Sequence, residues 1–225
     1  MNDERKQTSI TVAGNDGGIY IPPAIPPAEI ERRSFEIIEQ ELPHPLDPVQ
    51  APIIKRVIHT TADFSYADSL CFSEHAVEIA REAIRQGVSI ITDTNMAKAG
   101  INKNKLAAYG GAVHCFMADE DVAAEAKKRG ITRAAVSMEK SAIKGENFIY
   151  AIGNAPTALI RLYELIEEGK IKPQLIIGVP VGFVHVVEAK ELIMKSAVPY
   201  IVARGRKGGS NVAAAICNAL LYGME

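Results

Sequence analysis

The chain has 225 residues, of which 48% are hydrophobic and 23% are charged, and its formal net charge is -2. This length is enough to bury a substantial core in one large domain or two small ones, and the composition is typical of an ordinary globular protein. The charge argues against nucleic acid as the main partner, because proteins that bind nucleic acid usually carry a basic surface.

The cysteines and the apolar runs predict a cytoplasmic protein without membrane contact. The three cysteines, Cys71, Cys115 and Cys217, are odd in number and form no CxxC pair, which suits free thiols in a reducing compartment. Neither cysteine nor histidine recurs at metal-ligand spacing, so no metal site is predicted. No apolar run approaches the length of a membrane span, and the N-terminus lacks the hydrophobic core of a signal peptide.

The N-terminal part of the chain is predicted to hold a lead-in and a first helix. Residues 1–27 are polar and then rich in glycine and proline, which predicts a flexible segment. Residues 28–42 are predicted to form a helix with Ile30, Ile37 and Ile38 on one stripe. Ser34 lies on that stripe, so its hydroxyl is expected to face inward and bond the preceding turn. A ligand contact by Ser34 is the alternative.

The segment Arg56-Val-Ile-His-Thr-Thr-Ala-Asp63 ends a second predicted helix, for which Asp47-Pro48 supplies the start. The apolar stripe of this helix comprises Val49, Ile53, Ile54, Val57 and Ile58. His59 falls off the stripe, on the face that Lys55 and Asp63 are expected to share. An accessible imidazole exchanges protons near neutral pH, so His59 is a candidate catalytic acid or base. The alternative is a surface histidine at a helix end.

The rest of the chain predicts an α/β fold. Ser73 is a candidate N-cap for a helix that ends near Gln86. Predicted strands then cover residues 88–93, 112–117, 147–152, 174–178 and 200–203. Predicted helices cover residues 119–129, 132–143, 156–168, 186–197 and 211–222. This alternation indicates a mainly parallel β-sheet with helices on both faces. We therefore expect one α/β domain over residues 28–225, with an N-terminal helical extension.

Three glycine-containing loops follow predicted strands, at residues 153–157, 178–182 and 204–210. Each opens a helix, where free N–H groups favour anions, and parallel sheets bind ligands at the carboxyl ends of their strands. The alternative is that the glycines only make tight turns. The candidate ligand contacts along this edge are Thr92, Asp93, Asn154, Thr157, Arg133, Arg206, Lys207, Gly208, Gly209 and Ser210. Asp93 is equally a candidate helix cap.

Two further patterns limit the possible functions. Neither GxxxxGK[ST] nor GxGxxG is present, which disfavours a nucleotide-binding enzyme. Glu188 and Lys190 lie two residues apart, so on a helix they do not face each other. Both are therefore predicted to belong to an ordinary solvated helix face.

Read together, the motifs identify the chain as resembling the precorrin-8X methylmutase family from about Ile30 to Leu221. The motifs that carry the resemblance are Lys55-Arg-Val-Ile-His-Thr-Thr-Ala-Asp63, Thr92-Asp-Thr-Asn-Met96, Gly100-Ile101, Thr132-Arg133, Ile152-Gly-Asn-Ala-Pro-Thr-Ala-Leu159, Gly178-Val-Pro-Val-Gly-Phe-Val184 and Gly205-Arg-Lys-Gly-Gly-Ser210. The His-Thr-Thr-Ala-Asp form is similar to the cobalt-precorrin-8 branch.

The resemblance implies an isomerase of corrin biosynthesis that moves a methyl group from ring carbon 11 to carbon 12 and yields cobyrinic acid or hydrogenobyrinic acid. It further implies an α/β homodimer that binds the tetrapyrrole near the dimer interface. No organic cofactor is implied, and any cobalt belongs to the substrate. By the same resemblance, His59 corresponds to the active-site histidine, and Ser34 and Arg133 correspond to ligand contacts.

One departure from the family pattern is visible, because Glu188-Ala-Lys190 stands where many members have Glu-Ser-Lys. This departure affects any role for a hydroxyl at that position. His59 is expected to act as a general acid on the ring system, whereas Arg133 and the loop at residues 204–210 are expected to bind the substrate. The competing hypothesis is a non-catalytic corrinoid-binding or carrier protein.

Overall fold

The computed structural model describes residues 24–144 and 147–224. Its strands are β1 (Leu70–Phe72), β2 (Ile90–Thr92), β3 (Val113–His114), β4 (Ile149–Ile152), β5 (Leu175–Gly178) and β6 (Tyr200–Ala203). Its helices are α1 (Pro27–Glu41), α2 (Ala51–Thr61), α3 (Tyr66–Ser69), α4 (Ala76–Arg85), α5 (Asn95–Gly100), α6 (Lys103–Ala107), α7 (Glu120–Arg129), α8 (Arg133–Ile143), α9 (Pro156–Glu167), α10 (Val186–Lys195) and α11 (Ser210–Tyr222).

The strands form one sheet in the order β1-β6-β5-β4-β2-β3. All neighbouring pairs are parallel except β1 and β6, which pair with Leu70 opposite Ala203. From β2 the chain moves outward to β3, and from β4 it moves the other way to β5 and β6. The direction of winding therefore reverses between β2 and β4, which is where open parallel sheets form a crevice at their carboxyl edge.

Each face of the sheet carries its own core, because successive strand residues point to opposite faces. On one face, Ile149 and Ala151 of β4 pack with α2, α4, α5, α6 and α11. On the other face, Tyr150 and Ile152 pack with α7, α8, α9 and α10. Helix α11 has nine buried residues and packs between α2, α4 and α5. The predicted parallel sheet with helices on both faces is confirmed.

All five predicted strands are present, and the five helices predicted after residue 118 are confirmed with small shifts of their ends. The strand predicted over residues 112–117 is much shorter than expected, because β3 comprises only Val113 and His114. The edge strand β1 and the short helices α3, α5 and α6 had no prediction. Strand β1 is only three residues long, and its partner β6 lies about 130 residues later in the chain, so no local pattern marks it. The prediction for residues 1–27 concerns a stretch whose first 23 residues lie outside the described residues.

Two predicted helix starts were wrong. Helix α4 begins at Ala76 rather than after Ser73, whose backbone and hydroxyl instead exchange hydrogen bonds with the backbone of Tyr200. Helix α2 begins at Ala51, and the Asp47 carboxylate accepts the N–H groups of the turn before it. The Asp47 side chain therefore stabilises the turn before α2, whereas Ser73 bonds to strand β6, and neither side chain caps the first turn of its helix.

The apolar stripe predicted for α1 was also wrong. Ile38 is buried, but Ile30 and Ile37 are 52% and 53% exposed. Helix α1 packs against α2 along a single face, so the isoleucines outside that face remain at the surface. None of the helices in the described part of the chain is long and apolar enough to cross a membrane.

Candidate active site

His59 lies in the last turn of α2, with its imidazole exposed at the surface. The helix is anchored by its opposite side, where Ile54 and Ile58 are buried. The imidazole stacks on the ring of Phe35 from α1, with the ring centroids 5.1 Å apart and the planes inclined by 19°. The guanidinium of Arg56 lies 4.8 Å from the centroid of the same Phe35 ring. These contacts orient the imidazole while leaving it accessible to a ligand.

The chain after α2 connects the histidine helix to the carboxyl edge of the sheet. Ala62 ends the helix in the left-handed conformation, and Asp63 follows it outside the helix rather than on the helical face predicted for it. The Lys207 ammonium donates to the Asp63 carboxylate at 2.6 Å and to the Ser65 hydroxyl at 2.9 Å. These bonds hold the pKa of Asp63 below its usual range, chiefly through the bond from Lys207. The loop after β6 is thereby tied to the end of α2.

The loop between β6 and α11, residues 204–209, lies directly against the loop after β5. The Gly209 N–H donates to the Val179 carbonyl, and the Gly182 N–H donates to the Arg206 carbonyl. A Cβ atom at Gly208 would lie 2.0 Å from the Val179 carbonyl oxygen, so this approach requires glycine. Both loops are therefore held as one surface.

That surface combines positive charge with exposed apolar side chains. Phe183 and Val184 are 82% and 73% exposed, and the Arg206 guanidinium lies 5.5 Å from the Phe183 ring centroid. Exposed apolar side chains beside cations are a recognised feature of ligand and protein interfaces. A large flat apolar ligand with carboxylate substituents fits this combination.

Asp93 occupies the crevice between the ends of β2 and β4. Its carboxylate is buried and accepts the N–H groups of Gly153, Asn154 and Ala155 at 2.6–2.9 Å. Burial raises the pKa of Asp93 above the usual carboxyl range, and the three N–H groups act against this. The N–H groups predicted to bind a ligand anion in this loop are therefore already bonded to a carboxylate of the protein itself.

The sequence model of the precorrin-8X methylmutase family matches residues 29–223 of the chain. The chain is 46% identical to a cobalt-precorrin-8 methylmutase of Priestia megaterium, over 89% of the chain and 90% of that protein. It is 39% identical to a precorrin-8X methylmutase of Pseudomonas aeruginosa, over 85% of the chain and 93% of that protein. A solved precorrin-8X methylmutase from Thermus thermophilus superposes with a TM-score of 0.79 at 40% identity, covering 86% and 96% of the two chains.

The chain belongs to the precorrin-8X methylmutase family. It is thus an isomerase of cobalamin biosynthesis, as the motifs predicted. The comparisons give no support to a non-catalytic corrinoid carrier, because every relative described above is named as a methylmutase.

Several residues predicted to bind substrate in this methylmutase have internal bonds. The buried Thr92 hydroxyl donates to the carbonyls of Thr94 and His114. The Ser210 hydroxyl lies 2.8 Å from the Thr94 hydroxyl, which caps α5. The Ser34 hydroxyl donates to the Ile30 carbonyl in the preceding turn of its own helix, as expected, but the side chain is only partly buried and does not face the core. In this conformation these hydroxyls stabilise the protein around the site.

The remaining predicted contacts lie farther along the same edge. Thr157 accepts a hydrogen bond from Thr132, the residue that caps α8, so the N-termini of α8 and α9 are adjacent. Arg133 follows Thr132 and is exposed, as is Asn154. These three candidates flank the end of β4, whereas His59 and Lys207 lie toward β6.

The solvated face predicted for Lys190 was wrong, because this side chain is buried. Its ammonium donates to the carbonyls of Gly205 and Lys207, each at 2.8 Å. A sequence signal was available, since Lys190 falls on the apolar stripe that Val186, Ala189 and Ile193 form at spacings of three and four residues.

The pH dependence of stability should report this buried lysine. Burial lowers the pKa of Lys190 to about 8, whereas a lysine of the unfolded chain has a pKa of about 10.4. Between these values the unfolded state binds more protons, so this group makes the free energy of unfolding rise with pH. Urea unfolding gives the free energy of unfolding of wild type and of Lys190→Met. The value of wild type minus that of the variant should therefore increase between about pH 8 and about pH 10. A difference independent of pH would contradict the assignment.

Proposed function

We propose that this enzyme converts cobalt-precorrin-8 to cobyrinic acid by moving a methyl group from ring carbon 11 to carbon 12. The observation that carries the proposal is an accessible imidazole at His59, connected through Asp63 and Lys207 to a cationic and apolar surface. The cobalt-containing substrate is favoured because the relative with 46% identity is named for cobalt-precorrin-8, whereas the relatives described above that are named for precorrin-8X are 39% and 40% identical.

The proposed reaction is an intramolecular rearrangement that needs no oxidant, reductant or organic cofactor. The bond from the methyl group to carbon 11 breaks as the bond to carbon 12 forms, and any cobalt stays in the substrate. His59 acts as a general acid that donates a proton or a strong hydrogen bond to the ring system beside the migrating methyl. The proton returns to the imidazole when the rearranged corrin forms, so enzyme and substrate balance.

The acetate and propionate groups of the substrate are proposed to bind cations and helix N-termini along the carboxyl edge. Arg206 and Lys207 supply positive charge on the 204–209 loop, where Lys207 is also paired with Asp63, and Arg133 supplies charge at the start of α8. The apolar macrocycle is proposed to lie against Phe183 and Val184. This arrangement places carboxylates on cations and the ring on apolar side chains, so both parts of the ligand are matched.

A homodimer in the cytoplasm is proposed as the working form. Phe183 and Val184 project from the surface of a single chain, and covering such side chains is the usual role of a partner or a ligand. A second copy that approaches this loop would turn the open surface beside His59 into a cleft broad enough for a tetrapyrrole.

The proposed activity is tested by single-turnover conversion of cobalt-precorrin-8 under anaerobic conditions, followed by visible absorption. We expect the spectrum to change to that of cobyrinic acid as the methyl group moves. A shifted spectrum of bound substrate without conversion would contradict the proposed reaction. Parallel reactions with metal-free precorrin-8 compare the two substrates, and faster conversion of the metal-free form would contradict the assignment of cobalt.

A further inference from the structure

Lys190 is the largest charged side chain that is fully buried in the described part of the chain. It projects from α10 toward the 204–209 loop and donates to the backbone carbonyls of Gly205 and Lys207. Among the described residues, no carboxylate lies within ion-pair distance of it, so its charge is balanced only by carbonyl dipoles. A buried ammonium in such surroundings is costly, and an apolar side chain of similar size would fill the space at less cost.

The 204–209 loop, which Lys190 binds, is also attached to the segment after α2 through its own lysine, Lys207. The carbonyl of Lys207 accepts from Lys190, and the side chain of Lys207 donates to Asp63 and Ser65 beyond the end of α2. The 204–209 loop is thus fixed from inside by a buried cation and from outside by an exposed one. Movement of the loop backbone would shift Lys207 and Arg206 relative to His59.

We propose that Lys190 is a positioning residue, whose buried ammonium fixes the backbone of the 204–209 loop so that Lys207 and Arg206 meet the substrate beside His59. The inference rests on the proposed function only in assigning the loop to substrate binding. Lys190 does not touch the substrate itself, and it acts through the two carbonyls it binds.

Hydrogen exchange of the Lys190→Met variant tests the positioning without any substrate. The amides of Gly209 and Gly182 donate to carbonyls across the two loops, so they report whether the loop is held. We expect both amides to exchange at least tenfold faster in the variant, while the amides within α10 keep their wild-type rates. Wild-type exchange rates at Gly209 and Gly182 in the variant would overturn the proposal. Faster exchange spread evenly over the amides of α10 would overturn it as well.

Steady-state kinetics of Lys190→Met test the consequence for the reaction. A loosened binding loop should raise KM for cobalt-precorrin-8 about tenfold or more and change kcat less. Wild-type activity is the reference, so absence of conversion by wild type would contradict the proposed function and leave the exchange result to decide on Lys190. An unchanged KM in an active variant would overturn the positioning role.

Gly205→Ala provides a second variant in case Lys190→Met does not fold. Gly205 has a φ of +82° and open space around its Cβ position, so alanine strains the loop backbone without a steric clash in the core. Gly169→Ala is the matched control, because Gly169 has a φ of +66° and equally open surroundings after α9. We expect Gly205→Ala to raise KM and to speed exchange at Gly209, and Gly169→Ala to do neither. The same effects in both variants, or in neither, would overturn the proposal.

Discussion

Replacing His59 by alanine is expected to lower kcat by about 10²–10⁴-fold, the contribution that a positioned general acid typically makes. Binding should change little, because the cations assigned to the carboxylates and the apolar side chains of the loop at residues 179–185 remain. The measurement is single-turnover conversion of cobalt-precorrin-8, together with absorption titration of cobyrinic acid for affinity. A well-folded variant with wild-type turnover would move the chemistry away from His59.

Two companion variants separate the possible causes of that loss. His59→Gln keeps a side chain that donates a hydrogen bond but gives up no proton, so activity close to wild type would indicate a hydrogen bond rather than proton transfer. His44→Ala is the matched control, because His44 is exposed and, within residues 24–144 and 147–224, bonds only to Asp68 and the Pro45 carbonyl. We expect it to keep wild-type turnover.

Replacing Asp93 by alanine is expected to lower the free energy of unfolding by about 3–5 kcal/mol, because each buried N–H group left without an acceptor costs about 1–3 kcal/mol. The substitution would leave the N–H groups of Gly153, Asn154 and Ala155 without an acceptor between β2 and β4. Urea unfolding followed by far-UV circular dichroism measures the change.

Asp68→Ala is the matched control for this substitution, since the Asp68 carboxylate is exposed and pairs only with His44 in the described part of the chain. A loss of less than about 1 kcal/mol is expected there, as is typical of exposed ion pairs. Equal losses in the two variants would show that the three N–H bonds of Asp93 add little to stability.

Asp93 also bears on the arrangement of the active site. Gly153 begins the loop that Asp93 binds, and a Cβ atom at Gly153 would lie 2.7 Å from the Cα atom of Ser210. The loop at residues 153–155 thus packs directly against the start of α11 and the end of the 204–209 loop. Replacing Asp93 is therefore expected to perturb the 204–209 loop as well as to lower the stability of the sheet.

The periodicity of the sequence by itself determined most of the architecture. Short apolar runs separated by amphipathic segments predicted the parallel strands and helices α7–α11, because burial on both faces of a parallel sheet imposes that pattern. The motif set around His59 and in the loops after β4, β5 and β6 determined the family. Both are local properties, recorded in residues close together in the chain.

Only the tertiary structure decided which polar groups meet. The apolar stripe of α10 places Lys190 on the buried face, but the sequence does not show that its ammonium binds the carbonyls of a loop 15 residues away. Nor does it show that Lys207 reaches Asp63 across 144 residues. It also allowed Asp93 to be a cap or a ligand contact, although its carboxylate binds the loop 60 residues later. A donor finds its acceptor through the packing of distant elements, and residue type and spacing do not encode that partner.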